Sequence, residues 1–445
     1  MSAAASVDSF GFPLLQLGEA ERSAREKSLG AGEAGSLAKA WSSSADIVDA
    51  FAANPTSPLP KRLKQLVRAG VPPSQRSTLW FKLSGGWALQ KAAGYSYYEA
   101  IVKEADLAAS PKSVISRADL ELFNPFPQHP LLSGMKGMRA TRRVVLAHAA
   151  HVGGAEYAQG VSSVAAFLLA VMGMGQEEEV FWALVALTRH RLHPAFFEEL
   201  RGCRAEQRTL EDLARRKVPR VSALFEKLEA PLGEVTNEWM VYLFTRSLPA
   251  ETTARVFDCV LAEGAKALHR AGLALLKLHE PSLVSTGKGS LKLGQVFKWR
   301  VARTFDAELL MKVAYKSMGT LQSSTIAALR APHEAAIAAD QVALASRLSA
   351  FVRGGPALGS GRARSPSGST GSLSSLTAAD GAPGATPAGA VEAASAASGK
   401  MLISGMRPVL APQAPAPYQP RALGSPPELL QVASLRLLLA GASAR

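Results

Sequence analysis

The chain has little cysteine and no long uninterrupted apolar run. Its 445 residues contain only two cysteines, Cys203 and Cys259, too few for a disulfide framework or for a zinc site with the usual paired spacing. Both lie within helical patterns, which predicts buried, unreactive thiols in a reducing compartment. The longest apolar stretch, residues 161–175, contains two serines and two glycines, so it is too short and too interrupted to span a bilayer.

The first 40 residues also lack the features of a secretory signal. They mix small side chains with Glu19, Glu21, Glu26 and Glu33 and contain no continuous apolar segment, so a signal peptide is not expected. The sequence therefore predicts a cytoplasmic protein. Its formal net charge of +14 favours acidic surfaces, such as anionic membrane leaflets, nucleic acid or acidic proteins, without choosing among them.

Strand-like alternation of apolar and polar residues is missing as well. Apolar residues recur instead at helical spacing, which indicates amphipathic and buried helices. With 47% hydrophobic residues, the chain has enough apolar material for at least one large core. The predicted fold class is all-α.

Shifts in composition divide the chain into five parts. Residues 1–58 are rich in alanine, serine and glycine and are predicted to form a flexible leader. Residues 61–332 are dense in large apolar side chains and form the predicted folded body, followed by a helical extension over 333–353. Residues 354–425 have low complexity and cannot bury enough apolar surface to offset chain entropy, which predicts a disordered tail. Leucines in 426–445 predict a short amphipathic helix.

Several helices of the body are indicated by their ends. Pro73 fits the start of a helix that places Arg76 and Trp80 on one face and ends before Gly85. Other helices are predicted near 38–52 and over 141–151, 161–172 and 180–187.

Two further helices are predicted near the end of the body. The first begins at Thr236 or Asn237, which can act as an N-cap, and extends through Phe244. The second follows Pro249 and ends at Gly264, a residue typical of helix C-termini.

A series of short motifs follows one order along the body. Each combines aromatic, basic, proline or glycine residues, and each alone is weak evidence. In order they are Arg68-Ala-Gly-Val-Pro72 with Arg76 and Trp80, Phe126-Pro-Gln-His-Pro130, Tyr157-Ala-Gln-Gly160, Ala165-Ala-Phe-Leu-Leu169, Glu179-Val-Phe-Trp182, Trp239-Met-Val-Tyr-Leu-Phe-Thr-Arg-Ser-Leu-Pro249, Arg255-Val-Phe-Asp258 and Glu263-Gly264.

Taken together, these motifs strongly resemble the TBC domain of Rab GTPase-activating proteins over about residues 61–332. The resemblance implies a multi-helix domain that binds a Rab-type small GTPase in its GTP state and inserts an arginine and a glutamine into the partner's nucleotide site. GTP and Mg²⁺ are then carried by the partner, and neither a cofactor nor a metal of its own is expected. An anionic membrane surface is a second expected partner, whereas nucleic acid is not expected.

Gln159 matches the glutamine of this pair. In phosphoryl transfer to water, positioning and charge neutralisation provide nearly all of the acceleration. A glutamine amide can accept a hydrogen bond from the attacking water and donate one to phosphate. The resemblance thus makes Gln159 the catalytic glutamine, with Tyr157 positioning the turn and Gly160 at the partner surface.

The arginine of the pair has no match. The family pattern is approximately Ile-x-x-Asp-x-x-Arg shortly before the Phe-Pro motif. Anchoring it on Asp119 puts Leu122 at the arginine position, and anchoring it on the Phe-Pro motif puts Asn124 there. These three residues are expected at the partner surface, with Arg117 as a candidate substitute cation. The loss matters because an arginine finger contributes about 10³ to 10⁵ in rate.

Five residues of the motifs are predicted to be structural. Arg76 with Trp80, and Arg255 with Asp258, are expected to form buried or half-buried pairs that join helices, because ionised groups in a core need partners. Trp239 is expected in the same structural class.

Three functions remain open from the sequence. The first is a Rab GTPase activator in membrane traffic, which supplies Gln159 and accelerates the partner's reaction without a reaction of its own. The second is a catalytically weak Rab-binding scaffold or effector, because the arginine is replaced. The third is a helical adaptor that binds something unrelated to GTPases through its basic surface or proline-rich tail. The expected location is cytoplasmic and peripheral on endomembranes.

Overall fold

The computed structural model describes residues 6–32, 35–109, 123–152, 158–193, 195–198, 200–286 and 290–354. Within these ranges the chain is helical and no β-strand occurs; an isolated antiparallel bridge joins Val7 and Pro13. The all-α prediction is confirmed. The predicted tail from residue 355 on and the predicted helix at 426–445 lie outside the described residues.

The described helices follow one another with short connections. They are α1 (Glu19–Gly32), α2 (Gly35–Ser42), α3 (Ala45–Ala53), α4 (Lys61–Ala69), α5 (Arg76–Ser84), α6 (Gly86–Ala93), α7 (Tyr97–Ala109), α8 (Met135–Val152), α9 (Ala158–Met172), α10 (Glu177–Ala186), α11 (Arg201–Lys217), α12 (Pro219–Lys227), α13 (Leu232–Val241), α14 (Ala250–Glu263), α15 (Ala265–Thr286), α16 (Ser290–Val301), α17 (Ala307–Lys312) and α18 (Ser323–Gly354). Residues up to Ala338 form one compact unit, and the part of α18 from Ala339 on belongs to a second.

Helices α9 and α10 form the centre of the first unit. Residues 164–169 of α9 are fully buried, and residues 180–186 of α10 are at most 1% exposed. Helix α10 packs against α5, α6, α8 and α9. Burial on every side explains why these two stretches consist of apolar residues only. Each fully buried large apolar side chain contributes about 1.5 to 3 kcal/mol of transfer free energy.

Most predicted helices of the body occur close to their expected positions. A 3₁₀ turn at Pro73–Gln75 leads into α5, which ends at Gly85 with a φ of 97°. Helix α9 ends at Met172, directly before Gly173. The helix predicted over 141–151 is longer and begins at Met135.

Helix α13 differs from its prediction at both ends. It begins at Leu232 and ends at Val241, so the start at Thr236 or Asn237 and the end at Phe244 are wrong. Thr236 Oγ1 donates to Leu232 O at 3.2 Å within the helix, one turn back, and does not cap it. Phe244 has a φ of 67°, which is incompatible with a right-handed helix.

The structure corrects the flexible leader predicted for residues 1–58. In the described part of this region, α2 and α3 cover the predicted helix near 38–52. Trp41, Val48 and Phe51 are 2–3% exposed, and Trp41 Nε1 donates to Gly70 O at 2.7 Å. The average composition of this region is dominated by small residues such as alanine and serine, so it does not reveal these few large side chains. Their burial is sufficient to attach the region to the body.

The N-terminal segment, residues 6–15, is also attached to the body. The Phe12 ring lies 5.0 Å from the Phe126 ring and 4.6 Å from the His129 ring. His129 Nε2 lies 2.9 Å from Phe10 O. Asp8 Oδ1 accepts from the N–H groups of Phe10 and Phe12, both at 2.9 Å. These contacts hold the segment beside the loop that contains the Phe-Pro motif.

Attachment of the N-terminal segment is expected to weaken as pH rises. Burial raises the pKa of Asp8 from 3.8 to about 6, Glu251 raises it further, and hydrogen bonds from Phe12 and Phe10 and the nearby Arg25 lower it. Because this pKa is raised on docking, the stabilisation is complete below about pH 4 and is lost as pH rises through about 6. Between pH 5 and 7.5 the contribution of Asp8 to the docking equilibrium should fall about tenfold.

Amide hydrogen exchange of residues 6–15, corrected for intrinsic rates, measures this effect. Asp8→Asn keeps an oxygen acceptor for both N–H groups and removes the charge, so its protection should not fall as pH rises. Wild-type protection that does not fall relative to that of Asp8→Asn between pH 5 and 7.5 would contradict the prediction.

Both cysteines are buried, as predicted. Burial raises the pKa of the Cys203 and Cys259 thiols to about 12, so neither is a thiolate near neutral pH. Among the residues that the structure describes, no helix has both the length and the apolar content needed to cross a bilayer. In the same ranges, no cluster of histidine, cysteine and carboxylate side chains is arranged to hold a metal ion.

Candidate functional site

Asp258 in α14 joins four of the motif residues through one buried carboxylate. It is fully buried and accepts hydrogen bonds from Arg76 Nε at 3.1 Å, Trp80 Nε1 at 2.9 Å and Val71 N at 3.1 Å. Arg255 Nη1 lies 3.9 Å from Asp258 Oδ2. Arg76 and Trp80 are one turn apart in α5, so the carboxylate ties α5 to α14. This cluster is structural because its donors and acceptors are directed at one another inside the core.

Arg255 extends the cluster to the end of α4. Its Nη2 donates to Arg68 O at 2.6 Å, and its Nε donates to Glu308 at 2.8 Å. Burial opposes the charge of Arg255, but the negative charges of Glu308 and Asp258 raise its pKa above the ordinary value. The guanidinium is therefore occupied by structural contacts and is not available to a ligand.

Gln159 lies in the first turn of α9, the central helix. A Cβ atom on the next residue, Gly160, would lie 2.8 Å from Val241 O and 2.9 Å from the Phe197 ring. Only glycine allows this close approach, so the start of α9 is pressed against the last residue of α13. The backbone of Gln159 is thereby fixed beside the turn that follows α13.

The turn after α13 has an unusual backbone. Leu243 and Phe244 are consecutive non-glycine residues with φ of 47° and 67°, and both side chains are fully buried. The Phe244 ring lies 5.6 Å from the Trp239 ring, which holds the turn in place. Left-handed conformations at such residues carry strain of about 1 to 3 kcal/mol each and cluster at functional sites.

This turn presents Arg246 at the surface. Arg246 is exposed, and its guanidinium carbon lies 4.6 Å from the centroid of the Tyr242 ring. Its Nη2 donates to Pro125 O at 3.2 Å. The side chain also borders a cavity of about 430 Å³, so it has room to move.

Pro125 follows Asn124, one of the two positions aligned with the missing arginine. Asn124 Oδ1 is buried and has no hydrogen-bond partner. The loop at Asn124 and Pro125, the start of α9 at Gln159 and Gly160, and the turn that carries Arg246 are thus linked by direct contacts. We call this set of residues the Arg246 corner.

The structure places only some of the expected site residues. Arg117, Asp119, Leu122 and Tyr157 lie outside the described residues. Arg76, Trp80, Arg255 and Asp258 meet in one cluster, Trp239 supports the turn after α13, and Asn124, Gln159 and Gly160 lie in the Arg246 corner. The position of Arg246 was missed from the sequence, although the residue stands in the Leu-Phe-Thr-Arg-Ser-Leu-Pro motif.

Comparison with known proteins agrees with this architecture. The model of the Rab-GTPase-TBC domain matches residues 73–284. Human growth hormone-regulated TBC protein 1 is 30% identical over 278 residues, which are 61% of this chain and 80% of that protein. Human small G protein signaling modulator 3 is 29% identical over 289 residues, 64% of this chain but only 37% of that longer protein.

A solved structure supports the same assignment. The crystal structure of the Chlamydomonas flagellar RabGAP TBC domain superposes with a TM-score of 0.55 at 26% identity, covering 71% of this chain and 100% of that one. The structural superposition, the match to the domain model and the 80% coverage of the human relative all indicate the same family. The chain belongs to the Rab-GTPase-TBC domain family.

Proposed function

We propose that this protein is a GTPase-activating protein for a Rab-type small GTPase in its GTP-bound state, acting in membrane traffic. The observation that carries the proposal is the placement of Gln159 in the first turn of α9, next to a glycine that is pressed against Val241 O. The net charge of +14 favours attraction to the anionic surface of endomembranes. A cytoplasmic, peripheral location is part of the proposal.

The proposed chemistry needs little from this chain beyond positioning. The partner carries GTP and Mg²⁺, and Gln159 orients the attacking water in line with the bond that breaks. A fixed backbone at the start of α9 reduces the conformational entropy lost when the glutamine engages. The contacts of Gly160 with Val241 and Phe197 supply that rigidity.

A second candidate is a Rab-binding effector or scaffold with little activating power. Asn124 favours it, because this aligned position carries a neutral amide in place of a guanidinium. At the other aligned position, Leu122 offers no polar group at all. A missing finger costs about 10³ to 10⁵ in rate, so binding could persist where acceleration is lost.

The folded domain is proposed to begin before the matched range. Residues of α2 and α3 are buried in the same core as the body, and Trp41 is hydrogen-bonded to Gly70. We therefore propose a Rab-binding domain that includes these helices in addition to residues 61–332.

Gln159→Ala is expected to slow GTP hydrolysis by the partner about 10²-fold, because the water loses its orienting amide. Single-turnover hydrolysis across a panel of GTP-loaded Rab proteins, with this protein at saturation, measures the rate. Binding to the same Rab should change only a few fold. Gln322→Ala, at an exposed glutamine outside α9, is the matched control and should behave as wild type.

The same assay separates the two candidates. Wild-type acceleration that is lost in Gln159→Ala supports the activator. Wild-type binding without acceleration of any Rab would reject the activator and support the effector. Wild-type acceleration that Gln159→Ala leaves unchanged would reject the role given to Gln159.

A further inference from the structure

We infer that Arg246 supplies the cation that this chain lacks at Leu122 and Asn124. The inference rests on the proposed GTPase-activating function and deepens it by assigning a second residue that contacts the partner's nucleotide. It concerns the Arg246 corner, in which the start of α9 contacts the end of α13, and the Asn124 loop contacts Arg246 in the turn that follows α13.

The first step concerns where the guanidinium lies. Arg246 Nη2 donates to Pro125 O at 3.2 Å, and Pro125 directly follows Asn124. The two residues lie 121 positions apart in the chain, so the fold brings the cation to the loop where the family pattern expects one. A guanidinium that arrives from another element can replace a missing one if it reaches the same space.

The second step links this cation to the glutamine. Gly160, the neighbour of Gln159, is in close contact with Val241 O. The turn that begins after Val241 is compact, because Phe244 N donates to Trp239 O at 3.2 Å and Leu248 N donates to Phe244 O at 3.1 Å. Arg246 therefore projects from an element that is packed directly against the start of α9.

The third step concerns availability. Arginine has five N–H donors, and within the described residues Arg246 uses one of them, on a backbone carbonyl. No carboxylate pairs with it there. Arg255, by contrast, donates to two backbone carbonyls and to Glu308. Stacking on Tyr242 restrains the exposed side chain without neutralising its charge.

The fourth step concerns the backbone of the turn. Leu243 and Phe244 hold left-handed conformations that cost free energy, and each is fully buried. The surrounding core therefore maintains a strained geometry in the residues just before Arg246. Strain maintained in this way is characteristic of sites that must present a group in one orientation.

The chemistry requires no covalent bond to this chain. A water oxygen bonds to the γ-phosphorus of GTP, and the bond from that phosphorus to the β–γ bridging oxygen breaks, leaving its electron pair on GDP. The water's protons end on inorganic phosphate. Arg246 exchanges Pro125 O for the phosphate oxygens and neutralises the charge that develops on them and on the bridging oxygen.

Single-turnover hydrolysis at saturating protein, with GTP-loaded Rab proteins as substrate, tests the inference. Arg246→Ala should lower the rate about 10²- to 10³-fold, somewhat below the effect of a full arginine finger, with binding to the Rab changed only a few fold. Arg246→Gln keeps an N–H donor for Pro125 O and should be equally slow, since it lacks the charge. Arg62→Ala, at an exposed arginine in α4, is the control and should match wild type.

Two further measurements distinguish a catalytic from a structural role. Free guanidinium ion should restore part of the rate of Arg246→Ala, which lost packing alone would not allow. Arg117→Ala, which removes the other candidate cation, should slow the reaction far less than Arg246→Ala does. Acceleration that survives Arg246→Ala, or that Arg117→Ala abolishes, overturns the inference while leaving the proposed function intact. A wild-type protein that binds a Rab and accelerates none overturns both.

Discussion

Asp258→Asn is expected to lower the free energy of unfolding by about 3 to 5 kcal/mol, the usual cost of breaking a buried ion pair by removing one partner. Asp258 is fully buried and accepts hydrogen bonds from Arg76, Trp80 and the N–H of Val71. Asparagine keeps one acceptor oxygen but replaces the other with an NH₂ group, which cannot accept the remaining hydrogen bonds. Arg76, itself only 7% exposed, then keeps its charge without a counter-ion.

Asp49→Asn provides the matched control for that result. Asp49 is paired with Lys82 at the surface, with 59% of its side chain exposed, so the same chemical change should cost less than about 1 kcal/mol. Urea unfolding followed by circular dichroism measures both variants, with the midpoint compared at unchanged slope. Equal losses for the two aspartates would show that the Asp258 cluster does not stabilise the fold as its geometry implies.

The Asp258 cluster is the part of the structure that the sequence predicts best. Arg76 and Trp80 stand four residues apart, a spacing that places them on one helix face, and a buried cation requires a buried anion. Proline before and glycine after α14 define the helix that carries Asp258. Helix spacing, charge pairing and the proline and glycine at the helix ends are sufficient to predict this cluster, because each residue occupies the kind of position that its chemistry favours.

The turn after α13 shows where such rules fail. Leu243 and Phe244 have no local preference for a left-handed backbone, so their sequence suggests a longer helix. Burial of both side chains and the stacking of Phe244 on Trp239 impose the conformation from outside the segment. Tertiary packing of this kind leaves no signal in a single sequence.

The candidate site was predictable to different degrees. Gln159 is indicated only by a resemblance to known proteins, since a lone glutamine on an apolar helix has no distinctive chemistry. Arg246 was not predictable because its partner is a backbone carbonyl, that of Pro125, which every residue type presents alike. The prediction of a flexible leader was wrong because it relied on average composition. Trp41, Val48 and Phe51 are few among small residues, but their burial is sufficient to attach the region to the body.

Gly264→Ala is expected to destabilise the protein by at least about 3 kcal/mol, through strain and overlap together. Gly264 has a φ of 68° and a ψ of −149°, a region that is essentially restricted to glycine. A Cβ atom there would lie 2.2 Å from Arg191 O. The backbone of Arg191 cannot easily retreat, because its side chain donates to Ser84 O at 3.0 Å and to Leu83 O at 2.8 Å.

Gly94→Ala separates the two contributions. Gly94 also ends a helix and has a φ of 92° and a ψ of 149°, but no atom lies within 4 Å of the position of its Cβ, so alanine there meets strain alone and should cost about 1 to 3 kcal/mol. Urea unfolding of both variants gives the comparison. A loss at Gly264 that exceeds the loss at Gly94 by about 2 kcal/mol assigns the difference to the close approach of α14 and Arg191. Equal losses would mean that backbone conformation alone requires glycine at Gly264, and that the contact with Arg191 adapts.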